Sequence, residues 1–424
     1  MPIERSSLMP KFMQSSTARF VGLIALALLA QGFLIWWSAN GVGDPLGDVR
    51  YAYDPWVQSM IGSGKWLGIN TAWVYPYVAL APIWLPHLIS PGDYMTGWLL
   101  LVVNMNMLTV GHLLGWGKRM DRSRPALFFV GAIFLLGPVS IGRLESFTLA
   151  LSVVAFVAYI DHKEHASIQW LNIATWIKVA PVAALLAAFV ASRDRLRFVI
   201  YVAISVAATI AVGLALGGNA NLFSFVFQQA SRGIQIESPI ALVWLWQIMT
   251  GILPATPTIY YADSTLTFQI DGFGVDIVAG LMTIVQLGAL AITAWLAIRA
   301  VRAGADRDRM FAWILFTATL DLIVFNKVGS PQYQMWLIAA VVYGLISGIQ
   351  NWRTVSVMTL IVCLLTQLIY PAYYGEILAG HVGGILLLSL RNLLLVYLLV
   401  LANYRLTHLG NTEKSKSIFA RIFG

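Results

Sequence analysis

The chain has 424 residues, of which 59% are hydrophobic and only 11% are charged. Soluble domains carry about 25% charged residues, so this composition excludes a soluble globular protein, a disordered chain and a disulfide scaffold. The single cysteine, Cys363, excludes an internal disulfide framework and a cysteine metal site. The net charge of +8 is distributed as the positive-inside rule requires, which argues against nucleic-acid binding.

Repeated apolar stretches of about 20 residues predict an all-α, polytopic membrane protein, because a helix of that length crosses about 30 Å of hydrocarbon. The pattern predicts about 12 transmembrane helices in one membrane domain over 1–424. They cover 20–38, 94–115, 124–141, 146–161, 166–179, 180–193, 196–216, 276–299, 311–328, 332–349, 353–370 and 381–402. Pro181 divides two spans that are too short to cross alone, so we interpret that pair as a broken helical hairpin.

Two further apolar runs, 74–90 and 239–253, are short and rich in Pro or Trp. Counting them as spans would break the parity of the topology. We therefore predict interfacial helices there, at the depth that aromatic rings prefer.

Basic residues form short clusters between apolar runs and at the two termini, and these clusters hold 20 of the 27 Lys and Arg. Placing these clusters in the cytoplasm predicts a plasma-membrane protein with both termini inside and a basic cytoplasmic tail at 403–424. The long connections 39–93, 217–275 and 371–380 then face outward. Since they hold most of the acidic and aromatic residues outside helices, we expect the function on the external face.

The first external loop places Asp44, Asp48 and Asp54 directly after the first span. A carboxylate just above the membrane, beside Tyr51 and Tyr53, suits general-base work on a hydroxyl. Any one of these acids taken alone is more often a solvated loop residue. The three together also leave a divalent ion possible, although no cofactor is expected and the six histidines show no metal-ligand spacing.

The order of this loop resembles the glycosyltransferase C (GT-C) superfamily: a span, Gly-Asp, an aromatic pair, then two juxtamembrane helices. Asp48 with Arg50 and Tyr51 resembles the D-x-x-Y element of that superfamily. Tyr75 and Tyr77, which flank a proline, resemble its second element. The resemblance implies that Asp48 is the catalytic base, with Asp44 as the rival. The other loop side chains, Asp44, Arg50, Tyr51, Asp54, Tyr75 and Tyr77, are then substrate-binding candidates.

A second motif, FNKVGSPQY at 325–333, is similar to the glycosylphosphatidylinositol mannosyltransferase I family and to actinobacterial polyprenyl-phosphate-mannose-dependent mannosyltransferases. Lys327 is an outward cation at the depth of a polyprenyl phosphate, where it would neutralise the leaving phosphate. The plainer interpretation is that Lys327 only anchors the end of its span, with its ammonium group in the water at the membrane surface. The same motif makes Asn326, Gln332 and Tyr333 substrate-binding candidates.

A third element, QQASRGIQIESPIALVWLW at 228–246, resembles the actinobacterial members of the same group. Arg232 would hold the donor phosphate with Lys327, since its planar fork matches phosphate oxygens. Gln235 and Glu237 are substrate-binding candidates. An Arg232–Glu237 ion pair that orders the loop is an equally good interpretation.

Four weaker candidates remain. Arg143 and Glu145, in a short outer turn, either contact the acceptor or form a local ion pair. Lys178 either reaches the outer cavity or pairs with the intramembrane Asp321. His381 begins the last span and is an acceptor-site candidate.

The resemblance implies a mannosyltransferase with a polyprenyl-phosphate sugar donor, a lipid-linked glycan acceptor and an inverting mechanism. Its partners are then the donor, a glycolipid acceptor and membrane lipids, without nucleic acid. A polyprenyl-phosphate arabinofuranosyltransferase of the same fold is the first alternative. A lipid or solute transporter is the alternative of another class, although the chain lacks the paired broken helices of two similar halves.

Overall fold

The computed structural model describes residues 15–228, 232–251, 256–263 and 265–423, with side chains described as far as residue 409. Three parts of the predicted topology therefore lie outside the described residues. They are the N-terminal basic residues Arg5 and Lys11, part of the loop 217–275, and the side chains of the tail beyond residue 409. The helices of the first half are α1 (Ser16–Asn40), α2 (Asp54–Ser63), α3 (Leu80–Ile89), α4 (Tyr94–Leu113), α5 (Ser123–Leu136), α6 (Glu145–Ile160), α7 (Glu164–Ile177), α8 (Val182–Ala191) and α9 (Arg195–Ala215). The remaining elements are α10 (Ser224–Gln228), α11 (Leu242–Thr250), β1 (Thr258–Ala262), β2 (Thr267–Asp271), α12 (Val275–Arg302), α13 (Arg307–Val324), α14 (Gln334–Ile346), α15 (Arg353–Gln367), α16 (Tyr374–Leu378) and α17 (Val382–Phe423).

The prediction of a helical, polytopic membrane protein is confirmed. Each predicted span corresponds to a helix that begins within four residues of its predicted start. Within the described residues, seven helices are long and apolar enough to cross a membrane: Ser16–Asn40, Tyr94–Leu113, Met120–Ser140, Arg195–Ala215, Val275–Arg302, Arg353–Ala372 and Val382–Leu409. The two predicted juxtamembrane helices between the first two spans are α2 and α3.

The centre of the bundle is formed by α13 and α14, which are buried on almost every side. A helix that is apolar all round is stable in such a position. In contrast, only 11% of α9 and 17% of α1 and α12 is buried within their most apolar windows. These three helices therefore lie at the periphery, where their apolar surface would face lipid.

The broken helical pair occurs where Pro181 predicts it. Helix α7 ends at Ile177, Lys178 is extended (φ −153°, ψ 136°), and Pro181 precedes the first residue of α8. Proline is tolerated there because the first turn of a helix needs no N–H donor from it. The break places Lys178 on irregular backbone inside an otherwise helical layer.

The connections lie alternately at two ends of the bundle. At one end, which we call the basic end, Arg119 and Arg122 approach Asp161, and Arg307 donates to the carbonyl of Ala191. At the other, the cavity end, lie the long connections 41–79, 216–228 with 232–241, and 325–333. The two kinds of connection thus lie at opposite ends, and the assignment of the basic end to the cytoplasm stays a prediction.

The cavity end also contains a β-hairpin that the apolar pattern does not predict. Strands β1 and β2 pair antiparallel, from Thr258 opposite Asp271 to Ala262 opposite Thr267. An isolated bridge joins Gln269 of β2 to Gln235, so the hairpin is fixed to the segment that precedes α11.

Candidate active site

The cavity end encloses a cavity of about 380 Å³, a size typical of small-molecule sites. Several separate parts of the chain surround it. The lining residues are Asp44, Gly47, Asp48, Tyr51, Ala52, Tyr53, Trp56, Val74, Tyr75, Arg143, Arg232, Gln235, Glu237, Tyr261, Thr265, Leu266, Thr267, Phe268, Ser330, Pro331, Gln332, Tyr370 and Tyr374. Residues from all three sequence motifs therefore share one cavity.

Asp48 precedes a short π-helical segment, Val49–Tyr53, that runs directly into α2. Val49 and Tyr53 are buried and fix this turn in the core. One carboxylate oxygen of Asp48, Oδ1, lies 3.2 Å from Nη1 of Arg143, and the side chain is 36% exposed. Asp48 is thus held by a cation on one side and open to a ligand on the other.

Arg143 is a buried cation that supports Asp48 from inside the protein. Its Nη1 also donates to the carbonyl of Gly142 at 3.2 Å, and its Nη2 donates to the hydroxyl of Tyr370 at 3.4 Å. Burial acts to lower the pKa of Arg143, but the neighbouring charge of Asp48 acts to raise it, and the net shift of that pKa is upward. The guanidinium therefore stays charged and orients the Asp48 carboxylate.

A second ion pair lies close by, between Lys178 and the fully buried Glu145. The ammonium of Lys178 is 4.9 Å from the ring centroid of Tyr75, within the range of a cation–π contact. Two of the three ion pairs considered from the sequence, Arg143–Glu145 and Lys178–Asp321, are therefore wrong. Arg143 pairs with Asp48 rather than with Glu145, and Asp321 accepts a hydrogen bond from Thr293 (2.6 Å) instead of holding Lys178.

The segments that carry Arg232 and Lys327 pack against each other. The backbone N–H of Gln235 donates to the carbonyl of Lys327 at 2.9 Å, and the Ser330 hydroxyl donates to Oε1 of Gln235 at 3.4 Å. Burial, and then the positive charge of Arg232, lower the pKa of Lys327. The charge of Arg232 thus acts on Lys327, and an anion between two mutually repelling cations would be stabilised.

Glu237 is buried at the wall of the cavity. Its Oε1 accepts a hydrogen bond from the Tyr374 hydroxyl at 3.0 Å, and burial raises its pKa. Its backbone carbonyl accepts from Nη2 of Arg391 at 2.5 Å. Arg391 of α17 thus anchors the segment before α11 through the backbone of Glu237.

Aromatic rings form another wall of the cavity. Tyr53, Trp56 and Tyr75 line it, and Trp56 packs edge-on against Trp73 (5.5 Å between centroids) and Tyr75 (6.1 Å). Such tilted and edge-to-face contacts are favourable for aromatic pairs. The wall is therefore preformed and apolar, as a sugar or lipid ligand requires.

Nine of the side chains singled out in the sequence line the cavity: Asp44, Asp48, Tyr51, Tyr75, Arg143, Arg232, Gln235, Glu237 and Gln332. Lys327 does not line the cavity, and it is 8% exposed. At the mouth, Asp44 is bonded to Arg50 at 2.9 Å.

Five other candidates lie outside the cavity lining, and each has a local partner. Asp54 accepts from Gln58, and the Tyr77 hydroxyl donates to the carbonyl of Thr209. Asn326 accepts from the N–H of Val328 and so closes a turn. Tyr333 stacks on Trp336 at 4.0 Å. His381 is exposed and pairs with Glu376 at 2.8 Å.

Two groups of lining residues escaped sequence analysis. The hairpin contributes Tyr261 and Leu266 among others, and the segment from the end of α15 to the start of α16 contributes Tyr370 and Tyr374. The hairpin had a readable signal, because TIYYA and TFQID are short runs rich in β-branched and aromatic residues. Within the described residues, no three His, Cys, Asp or Glu side chains form a group that would hold a metal ion.

The fold and the site together define a helical membrane protein with a charged and aromatic cavity at one end. Residues 73–252 match the family model of glycosyltransferase family 87. No curated protein matches the chain. The match indicates a membrane glycosyltransferase of the GT-C-like kind, which uses a sugar donor and an acceptor. The matched range contains Arg143, Arg232 and Glu237, but begins after Asp48 and ends before Lys327.

Proposed function

We propose that the protein transfers a mannosyl residue from polyprenyl-phosphate mannose to a lipid-linked glycan of the phosphatidylinositol mannoside or lipomannan kind, at the outer face of the plasma membrane. One observation carries this proposal. The Asp48 carboxylate and the segment bearing Arg232 line the same cavity, and the backbone carbonyl of Lys327 accepts a hydrogen bond from the Gln235 N–H of that segment. A base and a phosphate site at the walls of one cavity are what sugar transfer from a phosphate donor requires.

The chemistry follows from this arrangement. Asp48 accepts the proton of an acceptor hydroxyl as its oxygen bonds to the anomeric carbon of the donor. The bond from that carbon to the phosphate oxygen breaks, and its electron pair leaves with the polyprenyl phosphate. Arg232 and Lys327 stabilise the charge that develops on this phosphate. Attack opposite the leaving group inverts the anomeric centre, so a β-linked donor gives an α-mannoside.

The choice of Asp48 over Asp44 has a structural basis. Asp44 is tied to the exposed Arg50 at the mouth of the cavity, whereas Asp48 is held by the buried Arg143. A carboxylate fixed by a buried partner loses less freedom when it binds a substrate. Asp48 is therefore the better-organised base.

The test is the transfer of radiolabelled mannose from polyprenyl-phosphate mannose to a membrane glycolipid. We expect Asp48→Asn to lower the rate on the order of 10²–10⁴-fold, the usual contribution of a general base, with the fold preserved. Asp93→Asn is the matched control, because Asp93 caps α4 at the same end and asparagine caps equally well.

Full activity of Asp48→Asn would reject Asp48 as the base and would direct the same test to Asp44→Asn. A wild-type protein that transfers arabinofuranose from its polyprenyl phosphate, but not mannose, would change the sugar and leave the mechanism intact. A protein that transfers neither sugar would overturn the proposal.

A further inference from the structure

The β-hairpin is a rigid wall of the cavity. Besides pairing with β1, strand β2 bonds to the segment before α11, through Ile236 N–H to the Phe268 carbonyl (3.2 Å) and Ile270 N–H to the Ile234 carbonyl (3.0 Å). The hairpin is therefore fixed to the same segment that carries Gln235 and Glu237.

Two adjacent tyrosines of β1 point in opposite directions, because successive side chains of a strand alternate between its faces. Tyr261 lines the cavity, and its ring lies 5.0 Å from that of Phe268. Tyr260 does not line the cavity, and its hydroxyl donates to Oε1 of Gln269 at 3.1 Å. The two residues are nearly equally exposed, at 46% and 44%.

Tyr261 and Asp48 face the same space. Both line the cavity, and the charge of Asp48, after burial and the charge of Asp263, contributes to raising the pKa of Tyr261. Leu266, at the tip of the hairpin, also lines the cavity while 49% exposed, and its φ of 52° is unusual for a leucine. Residues in such costly backbone conformations cluster at active sites and ligand contacts.

We propose that Tyr261 and Leu266 bind the terminal sugar ring of the acceptor and thereby turn its reactive hydroxyl towards Asp48. This inference rests on the proposed function, since it divides the cavity between an acceptor at the hairpin and a donor phosphate near Arg232 and Lys327. One face of a pyranose ring carries mainly C–H groups. That face packs on an aromatic ring through burial and dispersion, while its hydroxyls stay free for polar contacts.

The experiment measures KM for a short alkyl α-mannoside as acceptor and KM for polyprenyl-phosphate mannose as donor. We expect Tyr261→Ala to raise the acceptor KM about tenfold, in line with the energy of one well-packed aromatic contact, and to leave the donor KM unchanged. Tyr261→Phe keeps the ring and should behave as the wild type. Tyr260→Ala is the matched control and should leave both constants unchanged.

Titration calorimetry with the same alkyl mannoside provides a second readout that needs no donor. Weaker binding in Tyr261→Ala than in Tyr260→Ala supports the inference even when the wild type transfers neither mannose nor arabinofuranose. Such an absence of transfer would overturn the proposed function alone. Equal effects of the two substitutions, or a rise confined to the donor KM, would overturn the inference.

Discussion

At the scale of single residues, the site depends on a buried arginine whose partner is a partly exposed carboxylate. Arg143 is 5% exposed and bonds to Asp48, Gly142 and Tyr370. Removing one member of such a pair leaves the other without its compensating charge, which costs several kcal/mol when both are buried and less when one is solvated. The pair therefore contributes both to the orientation of the base and to the stability of the cavity end.

We predict that Arg143→Gln lowers kcat for mannose transfer at least tenfold, because it releases the Asp48 carboxylate from its orienting partner. The matched control is Arg122→Gln at the basic end. Arg122 is also buried, at 4% exposure, and lies 3.0 Å from Asp161. Both variants should lower the thermal unfolding temperature, but only Arg143→Gln should lower kcat. Equal losses of kcat would show that Arg143 acts through stability alone.

The sequence predicts which residue types meet in the cavity, but it does not predict which charged side chains form ion pairs there. Asp48 and Arg232 carry local signals, namely the glycines and aromatics around them. The pairing of Arg143 with Asp48, and of Lys178 with Glu145, depends on how separate connections pack. Charges two residues apart in a turn, such as Arg143 and Glu145, point in different directions, and no pattern in one sequence specifies their distant partners.

At the scale of elements, two connections approach each other closely at a glycine. A Cβ added to Gly329 would lie 2.2 Å from the backbone nitrogen of Ser238 and 2.3 Å from the carbonyl carbon of Glu237. These are backbone atoms, so the clash is relieved only when the segments separate. The glycine of the FNKVGSPQY motif therefore permits the contact that joins Lys327 to the Arg232 segment.

We predict that Gly329→Ala reduces mannose transfer at least tenfold and raises the donor KM, because it displaces the segment that carries Gln235 and Glu237. Gly280→Ala is the control. A Cβ added to Gly280, within α12, would meet no neighbouring atom within 4 Å, and alanine favours the helix by about 1 kcal/mol. Unchanged transfer and donor KM in Gly329→Ala would show that the two segments need not be in contact.

The helices of this protein can be predicted from its sequence, whereas the β-hairpin is harder to predict. Long apolar runs identified the helices because length and hydropathy decide whether a segment forms a span. The hairpin escaped because its strands are short and lie within a long connection. The hairpin is held in place by Gln235 and the residues next to Gln235, which pair with β2 only in the folded chain.

At the scale of the whole molecule, charge separates the two ends of the bundle. Most of the Lys and Arg side chains that the structure describes lie at the basic end, whereas Asp44, Asp48 and Glu237 line the cavity at the other end. From this separation, the positive-inside rule predicts that the cavity faces the outside. A polyprenyl-phosphate donor at the outer leaflet would meet the cavity only in this orientation.

Single introduced cysteines test this orientation directly. The native Cys363 is buried, so the wild-type chain should not react with a membrane-impermeant maleimide. Lys65 follows α2 at the cavity end, and Lys118 lies in a connection at the basic end; both are exposed. We predict that Lys65→Cys is labelled in intact cells and that Lys118→Cys is labelled only after the membrane is permeabilised. The reverse pattern would place the cavity in the cytoplasm, where a donor at the outer leaflet would not reach Asp48, and would contradict the proposed site of transfer.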